Sequence, residues 1–423
     1  MLHYESLLRK STYAGCAAGL ILAMMLGSQS ARADEDAFAQ WLASLRTEAV
    51  QQGISPATLD AALASLTPIE RVIELDRHQP EFTQTFWSYL ERRVTEDRIA
   101  RGREMLREHR GLLDAVQRKY GVPPRYLVAF WGLETNFGDY LGSFSVIGAL
   151  ATLAYDERRS QFFRAQLLDA LHVVDEGHIE LSEMNGSWAG AMGHLQFIPS
   201  TFRRYAVDAS GDGRADVWHS LPDVFESGAN YLKKLGWQPG ALWGREVRLP
   251  QDFDWSLAGP DVKKSVSEWD ALGVTKAYGA KLPKSDTLGA IVLPQGHRGP
   301  AFLVYDNFEV IMRWNRSINY AVAVGHLADR IAGLPPIQHG HEADNRALSR
   351  QQVLEMQRLL AAQGFDVGEP DGIPGSRTRA AVRTFQARSG LPADGHASID
   401  LLEALRSHRP AVESNTHSTS VDH

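Results

Sequence analysis

Residues 126–138 read YLVAFWGLETNFG, an apolar, aromatic run whose single charged side chain is Glu134. As a helix it places Tyr126, Leu127, Phe130 and Trp131 on one buried stripe at i, i+3, i+4 spacing, and Glu134 continues that stripe. The fold therefore has to take a carboxyl group out of bulk water. Desolvation disfavours the charged form, so the expected consequence is a raised pKa and a proton that can be handed to a leaving oxygen. The competing reading is a structural acid paired with an arginine.

The 423-residue chain is long enough for two or three domains, and with 44% hydrophobic and 22% charged residues it reads as globular. Arg9 and Lys10, an apolar run from Ala14 to Gly27 and Ala31-Arg32-Ala33 form a secretory signal pattern over residues 1–33. The run is shorter than the roughly 20 residues a bilayer span needs, so the expectation is release into the periplasm without a stable membrane anchor. Cleavage after Ala33 removes Cys16, the only cysteine, which excludes disulfide and thiol chemistry from the remainder. The formal net charge of −7 provides no basic field for nucleic acid.

From residue 34 to about 333 the pattern is mostly helical, with amphipathic periodicity in 38–48, 57–66, 91–120 and 159–174. Between Arg245 and Arg313 the period changes, and Ala290–Leu293 and Ala301–Tyr305 read as short strands about a Pro- and Gly-rich turn. Residues 334–347, LPPIQHGHEADNRA, read as a flexible linker whose two histidines are solvated. Residues 348–406 form a small helical unit with Val353, Met356, Leu359 and Leu360, then Ala381, Val382 and Phe385, then Leu401, Leu402 and Leu405 as its core. The tail, 407–423, has almost no core-forming side chains and is expected to be disordered.

Residues 185–202, NGSWAGAMGHLQFIPSTF, crowd small residues beside Trp188, Met192, Phe197 and the amide of Gln196, which suits a groove for a flat, polar ligand. The segments Ala229-Asn230-Tyr231 and Trp314-Asn315-Arg316-Ser317-Ile318-Asn319-Tyr320 add aromatic and amide groups of the kind found at carbohydrate sites. GLETNFG, Arg158-Arg159, GSWAGAMGHLQFIPSTF, GANYLKKLGW and WNRSINYAVAV occur in the order seen in the lytic murein transglycosylase B family, which the chain resembles from about Phe38 to Ile331.

That resemblance implies a mainly α, lysozyme-like catalytic domain with a small β-containing subdomain. It also implies cleavage of peptidoglycan between N-acetylmuramic acid and N-acetylglucosamine without hydrolysis. A glycosidase ordinarily sets two carboxylates across the bond, whereas the motifs supply one convincing buried acid. Asp139 and Asp156 lie in polar contexts and read as caps or surface acids. By resemblance, Glu134 protonates the glycosidic oxygen, the substrate's acetamido group stabilises the anomeric cation, and Glu134 then takes the C6 hydroxyl proton to close a 1,6-anhydro ring. Ser187, Gln196 and Asn315 would bind or orient the acetamido sugar, Arg158 and Arg159 would meet lactyl or peptide carboxylates, and Tyr231 and Tyr320 would line the cleft. Trp314 and His194 depart from the family pattern, which has tyrosine at both positions.

Residues 208–223, DASGDGRADVWHSLPD, resemble the family's EF-hand-like calcium loop, with Asp208, Ser210, Asp212, the Arg214 carbonyl and Asp223 as implied ligands of a structural Ca2+. His219 stands where a bidentate Glu would close an EF-hand, so an ordinary Asp-Gly turn is the alternative. Residues 371–386, DGIPGSRTRAAVRTFQ, resemble a type I peptidoglycan-binding module of three helices, expected to raise local substrate concentration by tethering. A hydrolytic muramidase and a non-catalytic wall-binding scaffold are the competing functions.

Overall fold

The computed structural model describes residues 36–78, 84–341 and 346–407. The signal pattern with Cys16, and the tail beyond residue 407, lie outside the described residues. No described helix is long and apolar enough to cross a membrane. The chain divides into two compact units, one of Met1–Arg77, Leu141–Arg204 and Gly211–His219, the other of His78–Tyr140, Tyr205–Ser210 and Ser220–His423.

In the first unit, helix Val146–Tyr155 packs along helix Ser160–Asp175. The first of these, VIGALATLAY, is buried from Val146 to Ala154, which is the pattern of a helix enclosed on every side. Helix Pro56–Leu63 starts at Ser55, whose hydroxyl caps Thr58 N at 3.2 Å and donates to Asp175 Oδ1 at 2.5 Å. Strands β1 (Phe144–Ser145) and β2 (Asn185–Gly186) pair antiparallel. Beside them Gly142, at φ 109°, approaches the Gly186 carbonyl so closely that a Cβ would sit 2.0 Å from its oxygen. Only glycine allows that approach.

In the second unit, helix Pro124–Thr135 carries Glu134, with nine of its residues buried and Pro124 pre-set for the first turn. The sequence predicts a buried stripe, but Val128 and Ala129 are as buried as Tyr126 and Phe130, so the helix is enclosed nearly all round. Helices Glu96–Glu108 and Ile318–Ile331 pack against it. The region expected as helical over 91–120 is broken into Phe86–Arg93, Glu96–Glu108 and Arg110–Tyr120, because Thr95 caps the second helix and His109 leaves helical geometry. An antiparallel sheet in the order β4-β6-β7-β3-β5 follows, with β3 Gly244–Arg248, β4 Lys263–Ser265, β5 Thr275–Lys276, β6 Leu288–Val292 and β7 Ala301–Val304. It packs around Trp269, Ile291 and Leu303. The two predicted strands are β6 and β7.

Helices Arg350–Ala362, Ser376–Arg388 and Ile399–Ser407 form the C-terminal module around Met356, Leu360, Val382, Phe385 and Leu405, as patterned. The segment leading into it differs from the flexible linker expected. Residues 338–340 are anchored by hydrogen bonds: Glu246 accepts the amides of Gln338 at 2.9 Å and His339 at 2.8 Å, and Trp87 donates to Gly340 O at 2.7 Å. His339 Nε2 lies 2.7 Å from Ala277 O, and the His341 ring stacks on Trp87 at 3.5 Å. The module also makes direct polar contacts with residues 297 and 298. Asp394, buried at 8% exposure, accepts the His297 amide at 2.8 Å and contacts its Nδ1 at 2.7 Å, while Arg298 pairs with Asp400 at 2.5 Å. Composition marks a segment as polar; it does not show which distant carboxylate receives its amides.

Candidate active site

Just beyond Glu134 the helix ends abruptly. Asn136, Phe137 and Gly138 all take positive φ, 53°, 62° and 85°, a sequence of left-handed residues that is costly for a phenylalanine. Side chains hold it in place. Asn136 donates to Asp139 at 2.8 Å, Arg98 Nε donates to Asn136 at 3.3 Å, and Thr135 Oγ1 accepts the Gly138 amide at 3.1 Å. The Phe137 ring fills the place where Gly132 has no side chain; a Cβ there would lie 2.7 Å from it. Asp139 is committed to Arg101, with one contact at 2.7 Å, and the Arg101 guanidinium holds its carboxyl below the usual range. It is a surface acid engaged in an ion pair.

Glu134 itself is half-buried. Its Oε1 accepts a hydrogen bond from the Trp314 indole at 3.2 Å and another from the Tyr320 hydroxyl. The WNRSINY segment delivers both donors: Trp314 ends helix Asp306–Trp314, the chain turns through Asn315 and Arg316, and Ser317 caps Tyr320 N at 3.3 Å to start the next helix. Tyr320 is buried, and its phenol is pushed well above its ordinary range by burial first and by the charge and hydrogen bond of Glu134 after it. It therefore remains a donor. The structure gives the carboxyl two hydrogen-bond donors that burial of the helix stripe does not by itself foresee.

An aromatic series extends from this carboxyl. Phe130 lies 4.3 Å from Trp314, Trp314 lies 5.0 Å from Tyr231, and Tyr231 lies 4.6 Å from Tyr205. Of the residues named from sequence, Glu134, Tyr231 and Tyr320 come together here. Tyr320 bonds to the Glu134 carboxyl rather than merely lining a cleft, Trp314 joins the group as its segment's composition suggests, and Tyr205 is added to it by the structure. Asn315 is exposed, and its carbonyl accepts the Ser317 amide at 2.7 Å.

The remaining sugar-binding candidates belong to the first unit. Ser187 Oγ accepts the amides of Ala189 at 3.3 Å and Ala191 at 3.0 Å, and Gln196, itself at φ 50°, donates to Leu141 O at 3.1 Å and Gly193 O at 3.0 Å. These bonds shape the glycine-rich segment. Arg158 and Arg159, at 40% and 43% side-chain exposure, both grip Asp76, with bonds of 2.8 and 2.9 Å among them. Burial works to raise the Asp76 pKa, yet the two guanidiniums overcome it and hold the carboxyl below its usual value. No local signal ties Asp76 to a pair more than eighty residues away. His194 is pushed towards its neutral form chiefly by burial. Asp156 caps the turn at Arg158 with a bond of 3.1 Å.

The 208–223 loop is organised by its own hydrogen bonds. Asp223, fully buried, takes the amides of Ala209 and Ser210 on Oδ1, both at 3.0 Å, and Asp208 accepts the Ser210 hydroxyl at 3.2 Å. In the other unit Asp212 accepts the Arg214 amide at 2.9 Å. Among the described residues no three His, Cys, Asp or Glu side chains gather as a metal-holding group. The donors suit a hard cation in kind, being carboxylate, hydroxyl and carbonyl oxygens.

The membrane-bound lytic murein transglycosylase B of Escherichia coli is 32% identical over 250 residues, 58% of this chain and 66% of that protein. SltB3 of Pseudomonas aeruginosa, solved in complex with NAG-anhNAM-pentapeptide, is 46% identical, with a TM-score of 0.84 over 87% of this chain and 99% of that one. The Escherichia coli lytic transglycosylase Slt35, solved in complex with calcium, is 28% identical, with a TM-score of 0.60 over 70% of this chain and 92% of that one. The putative peptidoglycan binding domain model matches residues 349–405. With the transglycosylase SLT domain model matching residues 37–329, the chain belongs to the transglycosylase SLT family and carries a peptidoglycan-binding module at its C-terminal side.

Proposed function

We propose that the protein is a periplasmic lytic transglycosylase that cleaves the β-1,4 bond between N-acetylmuramic acid and N-acetylglucosamine in peptidoglycan strands and leaves 1,6-anhydro ends. The carrying observation is the single carboxyl of Glu134, held on one oxygen by Trp314 and Tyr320 beside an aromatic series. Glu134 protonates the glycosidic oxygen, and the C1–O bond breaks while the acetamido carbonyl of the muramic residue supports the cation. The resulting carboxylate then removes the C6 hydroxyl proton, and the C6 oxygen closes on the anomeric carbon. No water is consumed, and Glu134 ends protonated. The commitment of Asp139 to Arg101 argues against a second acid from the same loop. SltB3, seen with an anhydro-sugar fragment, adds support.

On this reading Ser187, Gln196 and Asn315 contact the acetamido sugar, Arg158 and Arg159 turn their exposed edges to substrate carboxylates, and Tyr231 stacks on a sugar face. Asp208, Ser210, Asp212, Arg214 and Asp223 would hold a structural Ca2+, which supplies rigidity and takes no part in proton transfer; a melting transition lowered by chelator supports it, and an unchanged one refutes it. The central test is mass analysis of muropeptides released from purified sacculi. Ends lighter by one water support lytic cleavage, reducing muramic ends indicate a hydrolase, and binding without release indicates a scaffold.

A further inference from the structure

Three residues near Glu134 break the local rules of their elements. Gly132 sits inside helix Pro124–Thr135 and Gly102 inside helix Glu96–Glu108, where glycine weakens a helix relative to alanine. Phe137 takes φ 62°, a conformation that a bulky residue adopts only under constraint. Among the described residues other than glycine, only Asn136, Phe137 and Gln196 have positive φ, and the first two come directly after the helix that carries the acid.

The three exceptions explain one another. The Phe137 ring, at 4% exposure, fills the hollow that both glycines leave: a Cβ on Gly132 would stand 2.7 Å from its Cζ, and a Cβ on Gly102 3.5 Å from the same atom. The ring also meets Trp131 edge-on at 5.7 Å, and the Arg101 guanidinium lies 5.5 Å over it. Stopping a helix needs one left-handed residue, ordinarily glycine. A buried phenylalanine in that conformation does more. The Asn136 and Phe137 amides donate back to the Gly132 and Trp131 carbonyls, each at 3.2 Å, so Glu134 lies within the turn these bonds close. From that turn its carboxyl accepts bonds from Trp314 and Tyr320, about 180 residues away. Such bonds weaken steeply when distance or angle drifts.

We infer that Phe137 is a positioning residue: its ring, seated against Gly132 and Gly102, locks the last helical turn at the place where the Glu134 carboxyl meets Trp314 and Tyr320. The inference rests on the acid role proposed for Glu134. Phe137 takes no part in proton transfer and acts through the backbone that precedes it. Misplacing a reacting group by about 1 Å can cost about a hundredfold in rate.

Gly132→Ala puts a methyl group into the space of the ring, although alanine by itself favours the helix. Leucine has no atom where phenylalanine carries Cζ, so Phe137→Leu relieves that clash. The experiment measures kcat and KM for anhydro-muropeptide release by the full chain, at a temperature where circular dichroism shows each variant folded. Gly132→Ala should lower kcat by about tenfold or more and change KM by less than about twofold. Adding Phe137→Leu should raise kcat again by about fivefold, the mark of two directly coupled positions. A folded Gly132→Ala protein with unchanged kcat, a loss carried by KM alone, or a double variant no faster than Gly132→Ala overturns the inference. Should Gly132→Ala not fold, Phe137→Leu alone decides: a folded protein with lowered kcat and steady KM supports the inference, and unchanged kcat overturns it. If Glu134→Gln retains cleavage, or the unaltered chain yields no anhydro ends, the acid assignment itself fails, whatever Phe137 does.

Discussion

Glu134 and Asp394, two carboxyls of the same unit, both accept several hydrogen bonds, but from different kinds of donor. Glu134 is half-buried, and the donors to Oε1 are a phenol and an indole, neither carrying charge. Asp394 is nearly closed off; it receives the amides of His297 and His396, each at 2.8 Å, the Gln386 side chain at 2.7 Å, and the His297 imidazole. Burial alone would raise its pKa, but those bonds bring it down to about 2. The kind of donor separates the two. Backbone amides and an imidazole fix a carboxylate as a permanent anion that pins the C-terminal module, while an indole and a phenol from a distant segment orient the carboxyl of Glu134.

The contrast can be broken most sharply at the acid. Glu134→Gln should lower muropeptide release by about a thousandfold or more, the scale of general acid catalysis, with an unchanged circular dichroism spectrum and intact binding to sacculi. At the pin, Asp394→Ala leaves the amides of His297 and His396 unpaired and should destabilise the C-terminal module by about 3 kcal/mol in denaturant unfolding, while release from short soluble glycan fragments persists.

The pH dependence of stability sharpens the same comparison. The Asp394 pKa is depressed, so its contribution is complete above about pH 4 and is lost as pH falls through about 2. Asp329 runs the other way: burial pushes it up to about 6, against the Trp243 indole donating at 2.8 Å and the nearby Arg125 charge. Its contribution is complete below about pH 4 and is lost as pH rises through about 6. Asp394→Asn should therefore flatten the acid side of the melting curve and Asp329→Asn the segment between about pH 4 and 6, each by on the order of 2 kcal/mol. A single flattened segment in both variants would mean the two sites are coupled. The smallest effect is expected at the strap: Glu246→Ala removes the acceptor for Gln338 and His339 and should cost about 1 kcal/mol in the same melts.

Local patterning made much of this legible. The apolar run around Glu134 marked the central helix and its carboxyl, short apolar segments about a Pro- and Gly-rich turn marked β6 and β7, and spacing of Met356, Leu360, Val382, Phe385 and Leu405 marked the module core. The helical breaks at Thr95 and His109 were hidden inside a continuous Arg- and Glu-rich amphipathic stretch.

Chain order and periodicity were enough to mark the central helix, the module core and the family's motifs, because helix faces and turn chemistry are read within a few neighbouring positions. Partners far apart in sequence were decided only on folding. Trp314 and Tyr320 meet Glu134 across about 180 residues, Asp76 meets Arg158 and Arg159, and Asp394 meets His297. A hydrogen bond depends on ångström distance and angle, and no one-dimensional pattern carries that information until the core has packed.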